Sequence, residues 1–209
     1  MRLEALILAG GNSTRMGQDK ALLRRSLFPD SQTLLAQICQ VAIAQCDRVF
    51  VLTPRTVQYQ SLLPPGCVCL PESRPASAPP PGPLVAFAEG LAQLPCDWVL
   101  LLACDLPALT AQTLGEWRAL LPQAQPETLA LLPRGPKGWE PLCGFYRRRA
   151  LISLEEAIAQ GQRSFQGWLA TVEVEALPLE SMAPIQNCNT PAEWQRFQHW
   201  DARAWDARA

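Results

Sequence analysis

The chain has 209 residues, with 18 basic and 19 acidic side chains and a formal net charge of −1. That length fits one domain, 1–209, and the near-neutral charge excludes a nucleic-acid-binding surface built from bulk positive charge. Hydrophobic residues make up 48% and charged residues 18%, which excludes a disordered chain and predicts a large core. No apolar run approaches the ~20 residues of a membrane span, and the first residues lack a signal peptide's cleavage pattern, so we expect a cytoplasmic protein without a membrane partner.

Short apolar runs alternate with stretches of helical periodicity along the chain. Strands are predicted at 3–9, 48–53, 67–70, 97–103, 128–132, 143–147 and 171–177. Helices are predicted at 33–46, with Asp30 or Ser31 as the N-cap, and at 84–94, 110–121, 150–159 and from Pro191 onward. This alternation is typical of an α/β fold with a mainly parallel sheet and helices on both faces.

Two segments stand outside this alternation. Six of the thirteen residues from 71 to 83 are proline, so this segment cannot enter a central strand or a helix interior. It is predicted to be a long loop, either functional or merely tolerated. Residues 200–209 repeat the sequence Trp-Asp-Ala-Arg-Ala, and we expect them to form a frayed C-terminal extension.

Histidine and cysteine usage narrows the chemistry. The single histidine, His199, stands near the end of the chain, which leaves little for Ser-His-Asp or Cys-His catalysis or for a multi-histidine metal site. None of the eight cysteines belongs to a C-x-x-C pair, so we expect free, buried thiols. A catalyst of this composition relies on carboxylates, lysine, arginine, backbone amides or a hard metal ion.

The first apolar run ends in a glycine turn, Gly10-Gly11, followed by hydroxyl side chains and by Arg15 and Lys20. Adjacent glycines let the backbone turn sharply and bring amide groups against a ligand. The spacing matches neither a Walker loop nor G-x-G-x-x-G, because Lys20 does not directly follow Gly17 and the first two glycines are adjacent. The segment therefore predicts a polyphosphate cradle of a different type.

Two further polar residues are candidates for a metal site. Asp105 follows the apolar run at 97–103, and ligands of open parallel sheets bind beyond the carboxyl ends of the strands. Asp105 could hold Mg²⁺ beside substrate phosphates or simply cap a helix. Asn189 could complete the magnesium shell or belong to a turn that leads into the helix at Pro191.

These motifs resemble those of the molybdenum cofactor guanylyltransferases, the MobA family of nucleotidyltransferases. The matching segments follow the family's order over nearly the whole chain, at 8–20, 82–84, 104–107, 140–142 and 187–191. The resemblance implies a single Rossmann-like, three-layer α/β domain of the nucleotide-diphospho-sugar transferase type. It also implies the transfer of GMP from GTP to molybdopterin, with release of pyrophosphate and with Mg²⁺ as the cofactor.

The resemblance assigns site residues at the matching positions. Nucleotide binding would involve Leu8, Ala9, Gly10, Gly11, Lys20, Glu72 and Asp105, with Glu72 in place of the acidic residue that follows the family's third strand. The catalytic set would be Arg15, Lys20 and Asp105, and the metal ligands would be Asp105 and Asn189. Arg15 and Lys20 would neutralise phosphate charge, and the acceptor phosphate would need no protein base.

Three alternatives remain at this stage. The related cytidylyltransferases typically read Leu-Ala-Ala-Gly where this chain reads Leu-Ala-Gly-Gly at 8–11, which favours GTP over CTP. A molybdopterin cytidylyltransferase and a sugar-phosphate nucleotidyltransferase are nevertheless the rivals within the same reaction class. A non-catalytic nucleotide-binding partner protein is the rival from another class, and the presence of both Lys20 and Asp105 argues against it. The motifs leave open whether a molybdopterin-carrying protein delivers the acceptor.

Overall fold

In the computed structural model, which describes residues 1–11, 16–24 and 32–198, eight strands and seven α-helices form an α/β domain. The strands are β1 (Leu3–Leu8), β2 (Arg48–Thr53), β3 (Cys67–Pro71), β4 (Trp98–Ala103), β5 (Ala130–Gly135), β6 (Gly138–Trp139), β7 (Cys143–Arg147) and β8 (Val174–Leu177). The helices are α1 (Leu34–Ile43), α2 (Thr56–Gln60), α3 (Pro83–Ala92), α4 (Ala111–Arg118), α5 (Ala150–Ala159), α6 (Phe165–Leu169) and α7 (Pro191–Gln198). Within the described ranges, no helix has the length and apolar character needed to cross a membrane.

The strands form one sheet whose first half is parallel. Its order is β3-β2-β1-β4-β7-β5-β6, and the four strands from β3 to β4 are parallel to one another. β7 pairs antiparallel with β4 and β5, β6 forms an antiparallel hairpin with β5, and β8 pairs parallel with β5. The predicted α/β fold with a mainly parallel sheet is confirmed.

Helices cover both faces of this sheet. In β4, Trp98, Leu100 and Leu102 belong to the core that α1 and α4 cover. Val99 and Leu101 belong to the opposite core, which α3, α5 and α6 cover. Successive side chains of a strand point to opposite faces, so a strand covered on both sides is apolar throughout. All of β4 is buried, and the molecule has three layers.

The first helix has a different cap from the predicted one. α1 begins at Leu34, and the hydroxyl of Thr33 accepts a hydrogen bond from the backbone N–H of Ala36 at 3.2 Å. The prediction of Asp30 or Ser31 as the cap is wrong, although both residues themselves lie outside the described ranges. A cap must stand immediately before the first helical residue to reach the unpaired N–H groups, and that position belongs to Thr33.

Other boundaries moved because tertiary pairing sets them. β2, β7 and α5 have the bounds that the sequence predicts, whereas β5 begins at Ala130, where it pairs with both Tyr146 and Val174. Strand pairing continues only where a partner is available, so β8 is also shorter than predicted. α2 and α6 have five residues each, too few to show a helical period in the sequence.

The proline-rich segment connects β3 to α3. Pro71 is the last residue of β3 and Pro83 is the first residue of α3. Gly82 precedes the helix with φ at 93°, a value that glycine tolerates without steric cost. Proline suits the first helical position because its missing N–H would have no partner there.

All eight cysteines are free thiols, as the sequence predicts. Four of them, Cys39, Cys96, Cys143 and Cys188, are buried and pack as small apolar side chains. His199 and the predicted extension at 200–209 lie outside the residues that the structure describes.

Candidate active site

A cavity of about 340 Å³ lies at the carboxyl ends of the parallel strands. The register pairs Leu8 of β1 with Ala103 of β4, so Gly10 and Asp105 both leave the sheet two residues beyond paired positions. Glu72 directly follows the last residue of β3, the edge strand that pairs with β2. The sequence-predicted site residues that the structure describes all line this cavity: Leu8, Ala9, Gly10, Gly11, Lys20, Glu72, Asp105 and Asn189. Arg15 lies outside the described residues.

The glycine turn is held by its backbone carbonyl groups. The hydroxyl of Thr53 donates to the carbonyl of Ala9 at 3.1 Å, and the guanidinium of Arg55 donates to the carbonyl of Gly11 at 3.2 Å. The guanidinium of Arg74 donates to the carbonyl of Gly10 at 2.8 Å. Three side chains that follow or end neighbouring strands therefore fix three successive residues of the turn.

Gly10 is in close contact with Glu72. A Cβ atom placed at Gly10 would lie only 1.8 Å from Glu72 Oε1, so the carboxylate occupies space that any other residue would fill. The side chain of Glu72 is 3% exposed and its Oε2 lies 2.6 Å from Nε of Arg74. Burial raises the pKa of the Glu72 carboxyl, and the charges of Arg74 and Arg55 partly oppose that rise. The structure thus places a buried carboxylate at the edge of the cavity.

Lys20 connects the two predicted metal ligands. Its ammonium donates to Asp105 Oδ2 at 2.9 Å and to Asn189 Oδ1 at 2.6 Å. The side chains of Lys20 and Asp105 are only 14% and 13% exposed, so solvent screens this ion pair weakly. Three residues from distant parts of the sequence meet at one point of the cavity.

The other oxygen of Asp105 fits a divalent cation. Among the residues that the structure describes, Asp105 Oδ1 is buried without a hydrogen-bond partner, and such an orphaned acceptor is costly unless a ligand satisfies it. Those same residues include no cluster of three or more His, Cys, Asp or Glu side chains that could hold a metal ion. One carboxylate beside one amide oxygen is a donor set typical of Mg²⁺, which keeps several waters and binds substrate phosphates.

Asn189 has two separate roles in the local structure. Its backbone N–H donates to Glu193 Oε2 at 2.7 Å, and the N–H of Thr190 donates to the same oxygen at 2.9 Å. Thr190 Oγ1 in turn accepts from the N–H of Glu193 at 3.3 Å, which makes a capping box at the start of α7. The turn and the site interpretations of Asn189 are therefore compatible, since the backbone serves the turn and the side chain faces Lys20.

Several residues that support the site carry no sequence motif. The carboxylate of Asp19 accepts from the N–H of Ala21 at 3.1 Å and from the hydroxyl of Tyr59 at 2.6 Å, which positions the turn that bears Lys20. Arg74 stands inside the proline-rich segment, where a buried charge has no signature in the sequence. Thr53, Arg55 and Tyr59 are recognisable as supports only from their contacts.

Cys104 lines the same cavity, but its chemistry is not that of a nucleophile. Burial, together with a smaller contribution from the neighbouring Asp105 carboxylate, raises the pKa of the Cys104 thiol to about 12. The neutral thiol predominates at physiological pH, and thiolate is the nucleophilic form. The polar groups available to substrates are therefore the carboxylates, the ammonium, the guanidinium groups and the backbone amides.

Comparison with known proteins shows the family to which the chain is similar. Residues 5–174 match the MobA-like NTP transferase domain. The chain is 49% identical over 191 residues to a probable molybdenum cofactor guanylyltransferase of Nostoc sp., covering 91% of this chain and 88% of the relative. It is 46% identical over 198 residues to the protein of the same name from Synechococcus elongatus, covering 95% of this chain and 99% of the relative.

Solved structures share the fold at much lower sequence identity. Molybdopterin-guanine dinucleotide biosynthesis protein A from Archaeoglobus fulgidus is 18% identical with a TM-score of 0.71, covering 99% of this chain and 100% of that one. A CMP-2-keto-3-deoxy-manno-octonic acid synthetase complexed with CTP is 13% identical with a TM-score of 0.69, covering 100% of this chain and 99% of that one. These neighbours have the nucleotide-diphospho-sugar transferase fold. The match to a nucleotidyltransferase family indicates that the reaction uses a divalent metal ion. The chain therefore belongs to the MobA-like NTP transferase family and is a nucleotidyltransferase related to the molybdenum cofactor guanylyltransferases.

Proposed function

We propose that this nucleotidyltransferase transfers GMP from GTP to molybdopterin, with release of pyrophosphate and with Mg²⁺ as its metal. The observation that carries the proposal is the meeting of the glycine turn, Lys20, Asp105 and Asn189 at one cavity. The names of the relatives support the choice of substrates. The buried carboxylate of Glu72 supports the choice of base.

Guanine and cytosine place different demands on a carboxylate. Guanine carries two adjacent donors, N1–H and the 2-amino group, which match the two oxygens of an ionised glutamate. Cytosine has a single donor group at the equivalent edge, its 4-amino group, beside the acceptors N3 and O2, so it cannot donate to both oxygens of the carboxylate. The contact between Gly10 and Glu72 makes room for this acceptor, and an alanine at position 10, as cytidylyltransferases typically have, would displace it.

The residues of the cavity divide the remaining work. Asp105 and Asn189 would hold Mg²⁺, whose charge would stabilise the triphosphate and the departing pyrophosphate. Lys20 is placed to exchange its contacts with Asp105 and Asn189 for phosphate oxygens, and Arg15 would add a second cation. The amides of the glycine turn would orient the α-phosphate for in-line attack.

The acceptor would not need a protein base. A phosphate monoester has a second pKa of about 6, so its oxygens are nucleophilic at neutral pH. Positioning and charge neutralisation are then sufficient for phosphoryl-type transfer. This matches a cavity whose described side chains offer cations, carboxylates and a neutral thiol.

The test is release of pyrophosphate from each nucleoside triphosphate, with and without molybdopterin, in the presence of Mg²⁺. We expect acceptor-dependent release with GTP and little with CTP. Asp105→Asn should abolish most of it, whereas Asp97→Asn is the matched control because Asp97 precedes the opposite end of β4 and its carboxylate accepts from Arg2 N. Equal turnover of GTP and CTP would overturn the guanine assignment. Pyrophosphate release at the same rate with and without molybdopterin would overturn the acceptor assignment.

A further inference from the structure

One guanidinium connects three parts of the cavity wall. Arg74 Nε lies 2.6 Å from Glu72 Oε2, Nη2 donates to the carbonyl of Gly10 at 2.8 Å, and Nη1 donates to the carbonyl of Ala78 at 2.7 Å. The side chain is only 12% exposed. Arg74 therefore joins the residue after β3, the glycine turn and the proline-rich segment through one rigid group.

The chemistry of arginine suits this place. A guanidinium is a planar fork with five donors, so it can stand beside a carboxylate as an ion pair and donate to two carbonyl groups at once, whereas an ammonium is a point charge on a flexible stem. The proline-rich segment has few N–H groups to stabilise itself, since proline has none. A backbone turn from Ala78 N to the carbonyl of Pro75 at 3.0 Å and the donation from Arg74 order its first half.

The position of the Glu72 carboxylate depends on Arg74. On one side the carboxylate is against the bare backbone of Gly10, and on the other it is paired with the guanidinium. Without Arg74, a carboxylate that is 3% exposed would lose its ion pair, and it would turn toward water or take up a proton. Either change would remove the ionised carboxylate of Glu72, with its two acceptor oxygens, from the cavity edge.

We propose that Arg74 is a positioning residue that sets the base preference of the cavity, by holding the Glu72 carboxylate against Gly10 and by tying the proline-rich segment to the glycine turn. This inference rests on the proposed function in one respect, the assignment of guanine to Glu72. Arg74 acts through Glu72 and the two backbone carbonyl groups, and none of its roles requires contact with the reacting phosphates.

The test measures binding of GTP, inosine triphosphate and CTP with Mg²⁺ and without acceptor, by titration calorimetry. Inosine triphosphate keeps N1–H but lacks the 2-amino group of guanine, so the difference in affinity between it and GTP measures the hydrogen bond of the 2-amino group. We expect Arg74→Met to weaken GTP about 10- to 100-fold and to bring the affinities for GTP and inosine triphosphate close together, with CTP little changed. The GTP affinity of Arg74→Lys should lie between those of the wild type and Arg74→Met, because lysine keeps the charge beside Glu72 but loses the planar set of donors.

A matched control uses the same substitution elsewhere. Arg148 also donates to two backbone carbonyls, those of Leu94 at 2.9 Å and Ala92 at 3.3 Å, and it is not part of the cavity lining. Arg148→Met should therefore keep the wild-type ratio of GTP to inosine triphosphate binding, even if it lowers the melting temperature.

A pH series separates positioning from a merely structural role. Glu72 faces the charges of Arg74, Arg55 and Glu89, and Arg74 favours its ionised form. Affinity for GTP should fall on acidification as Glu72 takes up a proton, and this fall should move to higher pH in Arg74→Met and by a smaller amount in Arg74→Lys. CTP binding should show no such displacement.

The outcomes distinguish the inference from the proposed function. A wild-type protein without preference for GTP would overturn the proposed function before any variant is measured. A wild-type preference that survives unchanged in Arg74→Met would overturn the role of Arg74 alone, and so would an equal loss of all three nucleotides. If Arg74→Met fails to fold, Arg74→Lys and its pH series decide by the same criteria.

Discussion

Substitution of Gly10 by alanine tests the core geometry of the site. The new Cβ would lie 1.8 Å from Glu72 Oε1, whereas ordinary contact begins at 3.4 Å, so the carboxylate must retreat by more than an ångström. That movement disrupts the ion pair with Arg74 at 2.6 Å. The displaced carboxylate would also lose a hydrogen bond from the guanine base, and a hydrogen bond to a charged group contributes about 1.5–3 kcal/mol. We therefore expect GTP affinity to fall about 10- to 150-fold, with CTP affinity little changed.

The same substitution should lower thermal stability. The loss of the ion pair corresponds to a decrease of about 3–12 °C in melting temperature for a chain of this length, which differential scanning calorimetry measures. Gly11→Ala is the control for stability, because no described atom lies within 4 Å of a Cβ at that position and its φ is not positive. Gly11→Ala should melt close to the wild type.

A double-mutant cycle tests whether the contact with Glu72 causes the loss of stability in Gly10→Ala. Glu72→Ala removes the atoms that the new methyl group meets, so Gly10→Ala should add little further loss of stability in that background. Strictly additive effects would refute the close contact as the reason for glycine at position 10. Unchanged GTP affinity in Gly10→Ala would refute the role of Glu72 in base recognition.

Three further predictions concern charges elsewhere in the chain. Asp105→Asn should slow GMP transfer by about 10²–10³-fold, measured as pyrophosphate release, whereas Asp97→Asn should leave it near the wild-type rate. Lys20→Met should slow transfer and yet tighten Mn²⁺ binding to the nucleotide-free protein at least about tenfold, because it removes a positive charge from beside the two oxygens that would hold the metal. Electron paramagnetic resonance measures this binding, and weaker Mn²⁺ binding would contradict the assigned ligands. Arg2→Ala should lower the free energy of unfolding by about 1–3 kcal/mol in urea titrations, since the fully buried carboxylate of Glu4 lies 2.7 Å from its guanidinium, and Glu4→Gln in the same background should restore part of that loss.

Local patterns were sufficient for most of the regular structure. The apolar runs at 48–53 and 143–147 and the helical period at 150–159 give the observed bounds of β2, β7 and α5, because burial on a covered face imposes its period directly on the sequence. The N-cap of α1 and the start of β5 differ from prediction. Both depend on which backbone groups have a partner, and the sequence pattern does not record that.

The site divides in a similar way. Gly10, Lys20, Asp105 and Asn189 are noticeable in the sequence because each belongs to a motif of unusual residue types. The sequence does not show that these residues lie close together, since Asn189 is 169 residues from the lysine that contacts it. Arg74 has no motif, and only its contacts with two other segments mark it as part of the site.

The sequence by itself determined the fold class, the glycine turn and the polar residues able to handle phosphate and metal, because burial period and residue chemistry are local properties. Tertiary structure alone decided that Lys20 joins Asp105 to Asn189, and that Glu72 is enclosed between Gly10 and Arg74. The physical reason is strand register. It brings the ends of β1, β3 and β4 to one edge of the sheet, where short-range electrostatic contacts form between residues far apart in the chain.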